Sequence, residues 1–303
     1  MARSTVRLLV IIAATLVTSV AAAAQRSYDR QLAAPAGGHL TFHTQVGSVR
    51  VVGHSAEDVT IHADLQGPKS FLDRLHISAR QTASGVRISA RLAEGSWFHW
   101  FDFGSHHRVR FTVEVPRDYP VELRTSGGNL EVQDLNAAVR AWTSGGRVRV
   151  QNITGTVNAH TSGGNIEASQ INGPTQLSSS GGSIRIEDST GTLELHTAGG
   201  NIRIHNADGR VHAVTSGGDI RAALRSNQGI SLRSGGGDIT LLLPLSTRAS
   251  LDAKTGGGSV SSDFPFSTTQ IVSGSHLQGT IGGGGAAISL YSGGGDIRIR
   301  PEN

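Results

Sequence analysis

A six-residue phrase recurs six times in the middle of the chain, and each copy begins 18 residues after the previous one. The copies are residues 125–130 (TSGGNL), 143–148 (TSGGRV), 161–166 (TSGGNI), 179–184 (SSGGSI), 197–202 (TAGGNI) and 215–220 (TSGGDI). A short, fixed period is typical of a structural unit that cannot bury its apolar face alone and therefore stacks on copies of itself. The repeat predicts a solenoid with one unit in each coil.

Each repeat has room for two short strands and two tight corners. Gly163 and Gly164 predict a corner with positive φ angles, and residues 165–169 alternate apolar and polar side chains as a half-buried strand does. Asn172 and Gly173 predict the second corner, and residues 175–178 the second strand. We therefore predict an all-β fold, a single parallel β-solenoid (a β-helix or β-roll) with about 18 residues per coil and right-handed winding.

Residues 18 positions apart form columns that predict which side chains face inward. One inward column contains Leu130, Val148, Ile166, Ile184, Ile202 and Ile220. The residues that follow them form a charged outward column of Glu131, Arg149, Glu167, Arg185, Arg203 and Arg221. Because Glu and Arg alternate in its first four members, we expect a surface ion-pair ladder there. We also expect Asn129, Asn165 and Asn201 to cap corners through hydrogen bonds between their side chains and the backbone.

Residues 1–24 have the pattern of a secretory signal peptide. Arg3 and Arg7 form a positively charged region before an apolar stretch at 8–20. Alanines at 22–24 form a small-residue cleavage site before Gln25. The apolar stretch is shorter than a membrane-spanning helix needs. We therefore expect export to the periplasm, the cell surface or the exterior of a bacterium. The chain has no cysteine, so the fold has no disulfide bonds.

The rest of the chain, residues 25–303, is predicted to be one β-solenoid domain. Residues 25–123 alternate apolar and polar side chains without a clean period, which predicts irregular first coils or a β-rich cap over the open sheet edge. Residues 124–300 are predicted to form the regular coils with Gly-Gly corners, and their spacing lengthens after Ile220. The formal net charge is +4 and the charged residues are interleaved, so the composition does not indicate a nucleic-acid partner.

The most unusual segment is WFHWFDF at residues 97–103. One interpretation is an apolar plug that covers the open end of the solenoid. A second is an exposed interaction loop that stacks on sugars, contacts a membrane surface or binds a partner. The residues of this candidate interaction loop are Trp97, Phe98, His99, Trp100, Phe101 and Phe103. A third is a metal site formed by His99, Asp102, His106 and His107, although a solenoid loop gives such ligands no fixed geometry.

No motif for a catalytic nucleophile, a zinc site or a phosphate cradle occurs in the sequence, so we expect no catalytic residues, no cofactor and no bound metal. Asp219 and Asp238, on successive coils, are the acids to consider for glycan cleavage, but their corner positions favour a solvated structural role. His160 and His196 share an outward column two coils apart, about 9.6 Å, which is too far for one metal. We interpret them as surface residues.

A signal peptide, a β-rich first part, serial T/S-S-G-G-N/D-I phrases and a final SGGGDIRI at 292–299 occur together in this chain. In this combination the sequence resembles the bacterial DUF4097 family, also known as the "putative adhesin" or toastrack β-solenoid family. The resemblance covers residues 27–300. It implies a β-helix or β-roll fold and a location in the envelope or on the surface, and it carries no catalytic residues with it.

We therefore predict an exported, non-enzymatic, adhesin-like binding or structural module of the bacterial envelope. Its partner would be an envelope polysaccharide or a protein, contacted along a repetitive sheet face where weak contacts add up. Two alternatives stay open at this point. One is a carbohydrate-active β-helix enzyme of the polysaccharide lyase or hydrolase type, and the other is an envelope-stress accessory protein.

Overall fold

The computed structural model describes residues 24–93 and 107–302, and this part of the chain is almost entirely β-structure. The strands are β1 (Ala24–Ala33), β2 (His39–Thr44), β3 (Ser48–His54), β4 (Asp58–Gly67), β5 (Leu75–Thr82), β6 (Gly85–Leu92), β7 (Arg108–Pro116), β8 (Val121–Thr125), β9 (Leu130–Leu135), β10 (Val139–Thr143), β11 (Val148–Thr154), β12 (Val157–Thr161), β13 (Ile166–Asn172), β14 (Thr175–Ser179), β15 (Ile184–Thr190), β16 (Leu193–Thr197), β17 (Ile202–Asp208), β18 (Val211–Thr215), β19 (Ile220–Leu224), β20 (Ile230–Ser234), β21 (Ile239–Leu243), β22 (Ala249–Thr255), β23 (Val260–Ser262), β24 (Phe266–Ser273), β25 (His276–Ile281), β26 (Ala287–Ser292) and β27 (Ile297–Pro301). A short helix, α1 (Lys69–Arg74), precedes β5.

The strands form two sheets whose inner faces share one apolar core. Sheet 1 has 13 strands in the order β1-β4-β7-β3-β9-β11-β13-β15-β17-β19-β21-β27-β23. Sheet 2 has 14 strands in the order β24-β25-β22-β26-β20-β18-β16-β14-β12-β10-β8-β2-β6-β5. From β8 to β19 the chain alternates between the two sheets, and each strand pairs in parallel with the strand two positions further along. The architecture is the predicted parallel β-solenoid.

The register of sheet 1 places the predicted inward column in a single row. Val148 pairs with Leu130 on one side and with Ile166 on the other. The row continues in the same register through Ile184, Ile202 and Ile220. All six side chains are at most 1% exposed, which confirms the inward assignment. Burial of each aliphatic side chain contributes about 1.5–3 kcal/mol to stability, so the row is a large part of what holds the coils together.

Antiparallel strands lie at both ends of the stack. In sheet 1, β1 pairs with β4 and β4 with β7, and in sheet 2, β5 pairs with β6. At the other end of sheet 2, β25 pairs antiparallel with both β22 and β24. Because a parallel stack otherwise ends in unpaired backbone groups, these strands cover the ends of the regular coils.

Each regular repeat has a third bend that the sequence pattern did not predict. Gln170 adopts a positive φ, and the equivalent residues of four other coils do the same, with φ angles from 51° to 62°. These are Asp134, Asn152, Asp188 and Asn206. The bend shifts the inward alternation by one residue, so that Ile171 is buried three positions after the buried Ala168. The strand thus turns while its apolar side chains stay in the core.

The corner glycines have a different role from the predicted one. Neither Gly163 nor Gly164 has a positive φ, so the predicted reason for this corner is wrong. A Cβ at Gly164 would lie 2.0 Å from the carbonyl oxygen of Gly146 in the preceding coil, whereas a Cβ at Gly163 would meet no atom closer than 3.7 Å. The second glycine of the phrase is therefore required by the close approach of stacked backbones. Gly173, at the other corner, does have a positive φ, of 147°.

The predicted asparagine caps are confirmed. The side-chain Oδ1 of Asn165 accepts the backbone N–H of Ser183 in the next coil at 2.8 Å. The equivalent pairs are Asn129 with Arg147 at 2.9 Å and Asn201 with Asp219 at 2.8 Å. These bonds satisfy corner N–H groups that have no strand partner.

The predicted ion-pair ladder forms only in part. Arg149 Nη2 lies 2.6 Å from Glu167 Oε2 on the neighbouring strand, as expected. Arg185 instead pairs with Glu187, two positions along its own strand. Because Arg185 pairs within its own strand and not with Glu167, the series of ion pairs between strands stops at Arg185 and does not continue along the stack.

Candidate functional site

An outward row of sheet 2 brings basic, polar and aromatic side chains together. His43 of β2, Arg124 of β8, Trp142 of β10 and His160 of β12 occupy one register position on four adjacent strands. Their immediate neighbours along the strands, such as Ala141, are buried in the core, so the alternation of the strand directs the row outward. The row is carried by paired strands, which hold it in a fixed geometry.

The indole ring of Trp142 is held by a cation–π contact. The guanidinium carbon of Arg124 lies 4.7 Å from the ring centroid. Nε of Arg124 in turn donates a hydrogen bond to Oε1 of Glu122 at 3.1 Å, which fixes the guanidinium group. A contact of this kind contributes about 0.5–1 kcal/mol at an exposed site. Its effect here is to orient the half-buried ring.

An open groove of about 400 Å³, which we call the Trp142 groove, surrounds this row. Its lining residues are His43, Thr44, Gln45, Ala90, Arg91, Arg124, Thr125, Ser126, Trp142, Thr143, Ser144, His160 and Ser162. The lining combines one large aromatic surface with two guanidinium groups, two imidazoles and several hydroxyls. Such a mixture offers an apolar platform together with hydrogen-bond donors around it.

The surroundings of His43, which lines the groove, favour its neutral imidazole. Burial lowers the pKa of His43, and the positive charge of Arg124 lowers it further, while Glu122 opposes both. The Nε2 atom of His43 has no hydrogen-bond partner among the described residues and lies 3.9 Å from Oε1 of Glu122. This nitrogen is itself buried, so His43 contributes its partly exposed ring, and not Nε2, to the wall of the groove.

The candidate interaction loop lies outside the residues that the structure describes. This applies to Trp97, Phe98, His99, Trp100, Phe101 and Phe103, and also to Asp102 and His106 of the alternative metal site. His107 is described, and its ring centroid lies 4.7 Å from that of Phe71. Within residues 24–93 and 107–302, no group of three or more His, Cys, Asp or Glu side chains is placed to hold a metal ion.

The two candidate acids are bound to the backbone of neighbouring coils. Oδ1 of Asp219 accepts the N–H of Asp238 at 2.9 Å, and Oδ1 of Asp238 accepts the N–H of Asp296 at 2.8 Å. Arg298 donates a hydrogen bond to the other oxygen of Asp238. This bond is the main cause that lowers the pKa of Asp238, and the hydrogen bond from the backbone of Asp296 lowers it further. The general acid of a glycoside hydrolase needs a raised pKa, so the environment of Asp238 is the opposite of what that role requires.

The two histidines of the shared outward column have different surroundings. His160 lines the Trp142 groove, whereas His196 packs its ring edge-on against His212 with 5.6 Å between centroids. Both are half-buried on the outer face of sheet 2, in agreement with the surface interpretation. Trp142 was missed because it belongs to no motif. The available signal was that a tryptophan, one of three in the chain, stands 18 residues before His160 at an outward position.

Two largely parallel sheets joined by stacked corners define this chain as a β-solenoid protein. A family model described as Toastrack DUF4097 matches residues 38–300. The chain therefore belongs to the Toastrack DUF4097 family, as its repeat phrases implied. A comparison with curated proteins finds no match. In the described part of the chain, no helix has the length and hydropathy needed to span a membrane.

Several solved structures are similar to this chain at low sequence identity. One is a "putative lipid binding protein" from Parabacteroides distasonis, with 12% identity, 92% of this chain and 97% of that chain covered, and a TM-score of 0.49. A "putative adhesin" from Bacteroides fragilis has the same identity and coverage and a TM-score of 0.46. A "putative adhesin" from Parabacteroides merdae has 9% identity, the same coverage and a TM-score of 0.31.

Proposed function

We propose that this protein is an exported, non-enzymatic binding module of the bacterial envelope and that its Trp142 groove holds a carbohydrate chain. The observation that carries the proposal is the outward row in which Trp142 lies between Arg124 and His160 on three paired strands. A sheet face that is open along the stack accommodates an extended polymer, and the contacts of successive sugars add up.

A sugar ring presents an apolar face of C–H groups and a rim of hydroxyls. The indole of Trp142 supplies a large, rigid surface for the apolar face. Arg91 and Arg124 supply guanidinium donors for the rim. The three groups surround one groove, so each can reach a ligand that lies on the ring.

The composition of the groove supports binding without turnover. Glycoside hydrolysis uses a pair of carboxyl groups that flank the scissile bond. No Asp or Glu is among the residues that line the groove. The adjacent Glu122 is hydrogen-bonded to Arg124, so its carboxylate already has a partner.

Export is the second part of the proposal, and it is supported by the signal-peptide pattern of residues 1–24. N-terminal sequencing of the protein recovered from the envelope or medium of a producing bacterium tests it. We expect the mature chain to start at Gln25. A protein that keeps Met1 and stays in the cytoplasm would remove this part of the proposal without affecting the groove.

The binding test uses the mature protein and an array of neutral polysaccharides. Trp142→Ala removes the platform, and Tyr291→Ala is the matched control, because Tyr291 is an exposed aromatic residue on the same sheet face at β26. We expect Trp142→Ala to weaken the strongest array signal at least about tenfold, since stacking on an aromatic ring and the desolvation that accompanies it are worth more than 1.4 kcal/mol. We expect Tyr291→Ala to change it less than about twofold.

Two results would contradict this assignment. Equal binding by the wild type and Trp142→Ala would remove the groove as the site. Release of new reducing ends or unsaturated products from a bound polysaccharide would favour the carbohydrate-active enzyme instead.

A further inference from the structure

Three arginines lie directly opposite one another on the outer face of sheet 1. Arg185 of β15 pairs in register with Arg203 of β17, and Arg203 with Arg221 of β19. Neighbouring strands are about 4.8 Å apart, so the backbones that carry these three positive charges are within about 10 Å. We call these residues the arginine row. Like charges directly opposite on adjacent strands destabilise a sheet, so the row has a cost that the fold itself does not require.

The carboxylates in the described part of the chain leave most of this charge uncompensated. Earlier in the same column, Arg149 is paired with Glu167 at 2.6 Å. Within the row only Arg185 has an acidic partner, Glu187. Arg203 and Arg221 are exposed and make no hydrogen bond or ion pair with any side chain in residues 24–93 and 107–302. Two adjacent guanidinium groups therefore keep all their donors available to an external anion.

A depression of about 250 Å³ lies beside the arginine row. It is lined by Arg185, Ile186, Arg203, Ile204, His205, Arg221, Ala223, Leu242 and Glu302. The buried methyl group of Ala223 is part of its floor. Ala223 pairs in register with His205 on one neighbouring strand and with the half-buried Leu242 on the other. Glu302 is the one carboxylate of the lining. The depression thus joins an apolar floor to a basic edge.

The depression follows from a change in the repeat. The series of left-handed bend residues stops at Asn206, and the register between β17 and β19 shifts after His205. β19 therefore has one residue fewer at this point, and Ala223 stands where the earlier coils carry larger polar side chains such as Glu187. The arginine row and the depression occur together in the coils where the regular pattern changes.

We propose that the arginine row and its depression bind a linear acidic polysaccharide. The fork of each guanidinium matches a carboxylate in two hydrogen bonds, and the donors repeat along the stack in the direction that a linear chain would follow. Ala223 and Leu242 offer an apolar surface to the sugar rings between the carboxylates. The site lies on the face opposite to the Trp142 groove and does not depend on the function proposed for that groove.

The test measures binding of the mature protein to polygalacturonate at about 50 and 200 mM salt. The test variant is Arg203→Gln/Arg221→Gln. The matched control is Arg147→Gln/Arg149→Gln, which removes the same charge from β11 of the same sheet and the corner before it, where both guanidinium groups pair with Glu167. We expect the test variant to bind at least about tenfold more weakly than the wild type and the control to differ by less than about threefold. Arg203→Lys/Arg221→Lys should recover only part of the loss, because lysine has no fork.

Several outcomes would overturn the assignment. Equal weakening by both double variants would show that binding depends only on the net charge of the protein. If the wild type did not bind polygalacturonate, an acidic polysaccharide would not be the ligand. Binding to phosphatidylglycerol vesicles but not to polygalacturonate, lost in Arg203→Gln/Arg221→Gln, would assign the row to an anionic lipid surface instead. Trp142→Ala is expected to bind polygalacturonate like the wild type. If it does not, the two faces do not act independently and the proposal fails.

Discussion

The hydroxyl of Thr161 donates a hydrogen bond to the carbonyl oxygen of Gly146, in the preceding coil, at 2.9 Å. The same hydroxyl accepts the N–H of Gly164 at 3.1 Å, and Thr161 is fully buried. Equivalent donations join Thr143 to Gly128, Ser179 to Gly164, Thr197 to Gly182, Thr215 to Gly200 and Ser234 to Gly218. The first residue of each phrase therefore supplies a hydroxyl group. Together these hydroxyl groups form a ladder that connects each corner to the one before it.

Replacing Thr161 with valine tests this ladder. Valine keeps the shape but leaves a buried N–H at Gly164 and a buried carbonyl at Gly146 without their partner, which costs about 1–3 kcal/mol. Thr161→Ser is the control, since serine already serves at positions 179 and 234. We expect Thr161→Val to lower the melting temperature clearly more than Thr161→Ser, as followed by circular dichroism. A serine variant as unstable as the valine variant would show that the methyl group matters and not the hydroxyl.

The two glycines of one phrase should differ sharply in tolerance. A Cβ at Gly164 would lie 2.0 Å from the oxygen of Gly146, so Gly164→Ala must separate two coils and should cost more than about 3 kcal/mol. A Cβ at Gly163 would meet no atom closer than 3.7 Å, and Gly163 has no positive φ. Gly163→Ala should therefore change stability by less than about 1 kcal/mol. Thermal unfolding of the two variants decides the matter. Similar losses would contradict the close-approach explanation.

The columns were predictable because stacking in register is a consequence of the repeat itself. Any residue at position 166 must lie between those at 148 and 184, so the burial of Ile166 follows from sequence spacing alone. The left-handed bend at Gln170 was not predictable in this way. Its column holds Asp, Asn and Gln but no glycine, and polar residues at an exposed position have the same pattern whether or not the backbone bends there.

The candidate sites were less accessible from sequence for a different reason. The Trp142 groove depends on residues from β2 and β6, which precede the regular repeats and have no fixed spacing to Trp142, whereas Arg124 of β8 lies one 18-residue period before Trp142. The arginine row was visible as a column, but the sequence did not show that Arg203 and Arg221 have no acidic partner among the described residues. Side-chain pairing depends on which carboxylate is closest in space, as Arg185 and Glu187 show.

The core and the surface of sheet 1 should respond differently to a change in charge. Ile184 is fully buried, so Ile184→Asp places an unpaired carboxylate in the apolar core and should cost several kcal/mol or prevent folding. Glu167→Gln removes only the surface ion pairs with Arg147 and Arg149 and should cost less than about 1 kcal/mol. Ile184→Val keeps the core apolar and provides a folded reference if Ile184→Asp is not recovered. Comparable melting temperatures for the two charge variants would contradict the inside and outside assignment.

Acid should weaken the last coils through Asp238. The hydrogen bond from Arg298 lowers the pKa of Asp238 below its ordinary value of 3.8, so the folded state favours the carboxylate. This contribution is fully present above the ordinary pKa and is lost as the pH falls through the lower pKa of the folded state. Asp238→Asn keeps the oxygen that accepts the N–H of Asp296 and removes only the charge.

We therefore expect the wild type to melt at a higher temperature than Asp238→Asn at pH 6, by the equivalent of less than about 1 kcal/mol because Asp238 is largely exposed. The difference should shrink below pH 4 and vanish when the wild-type carboxylate is protonated. Arg298→Gln removes the other member of the ion pair and should lower the melting temperature at pH 6 by a similar amount. A gap between the wild type and Asp238→Asn that persists unchanged at pH 2 would show that the ion pair is not its cause.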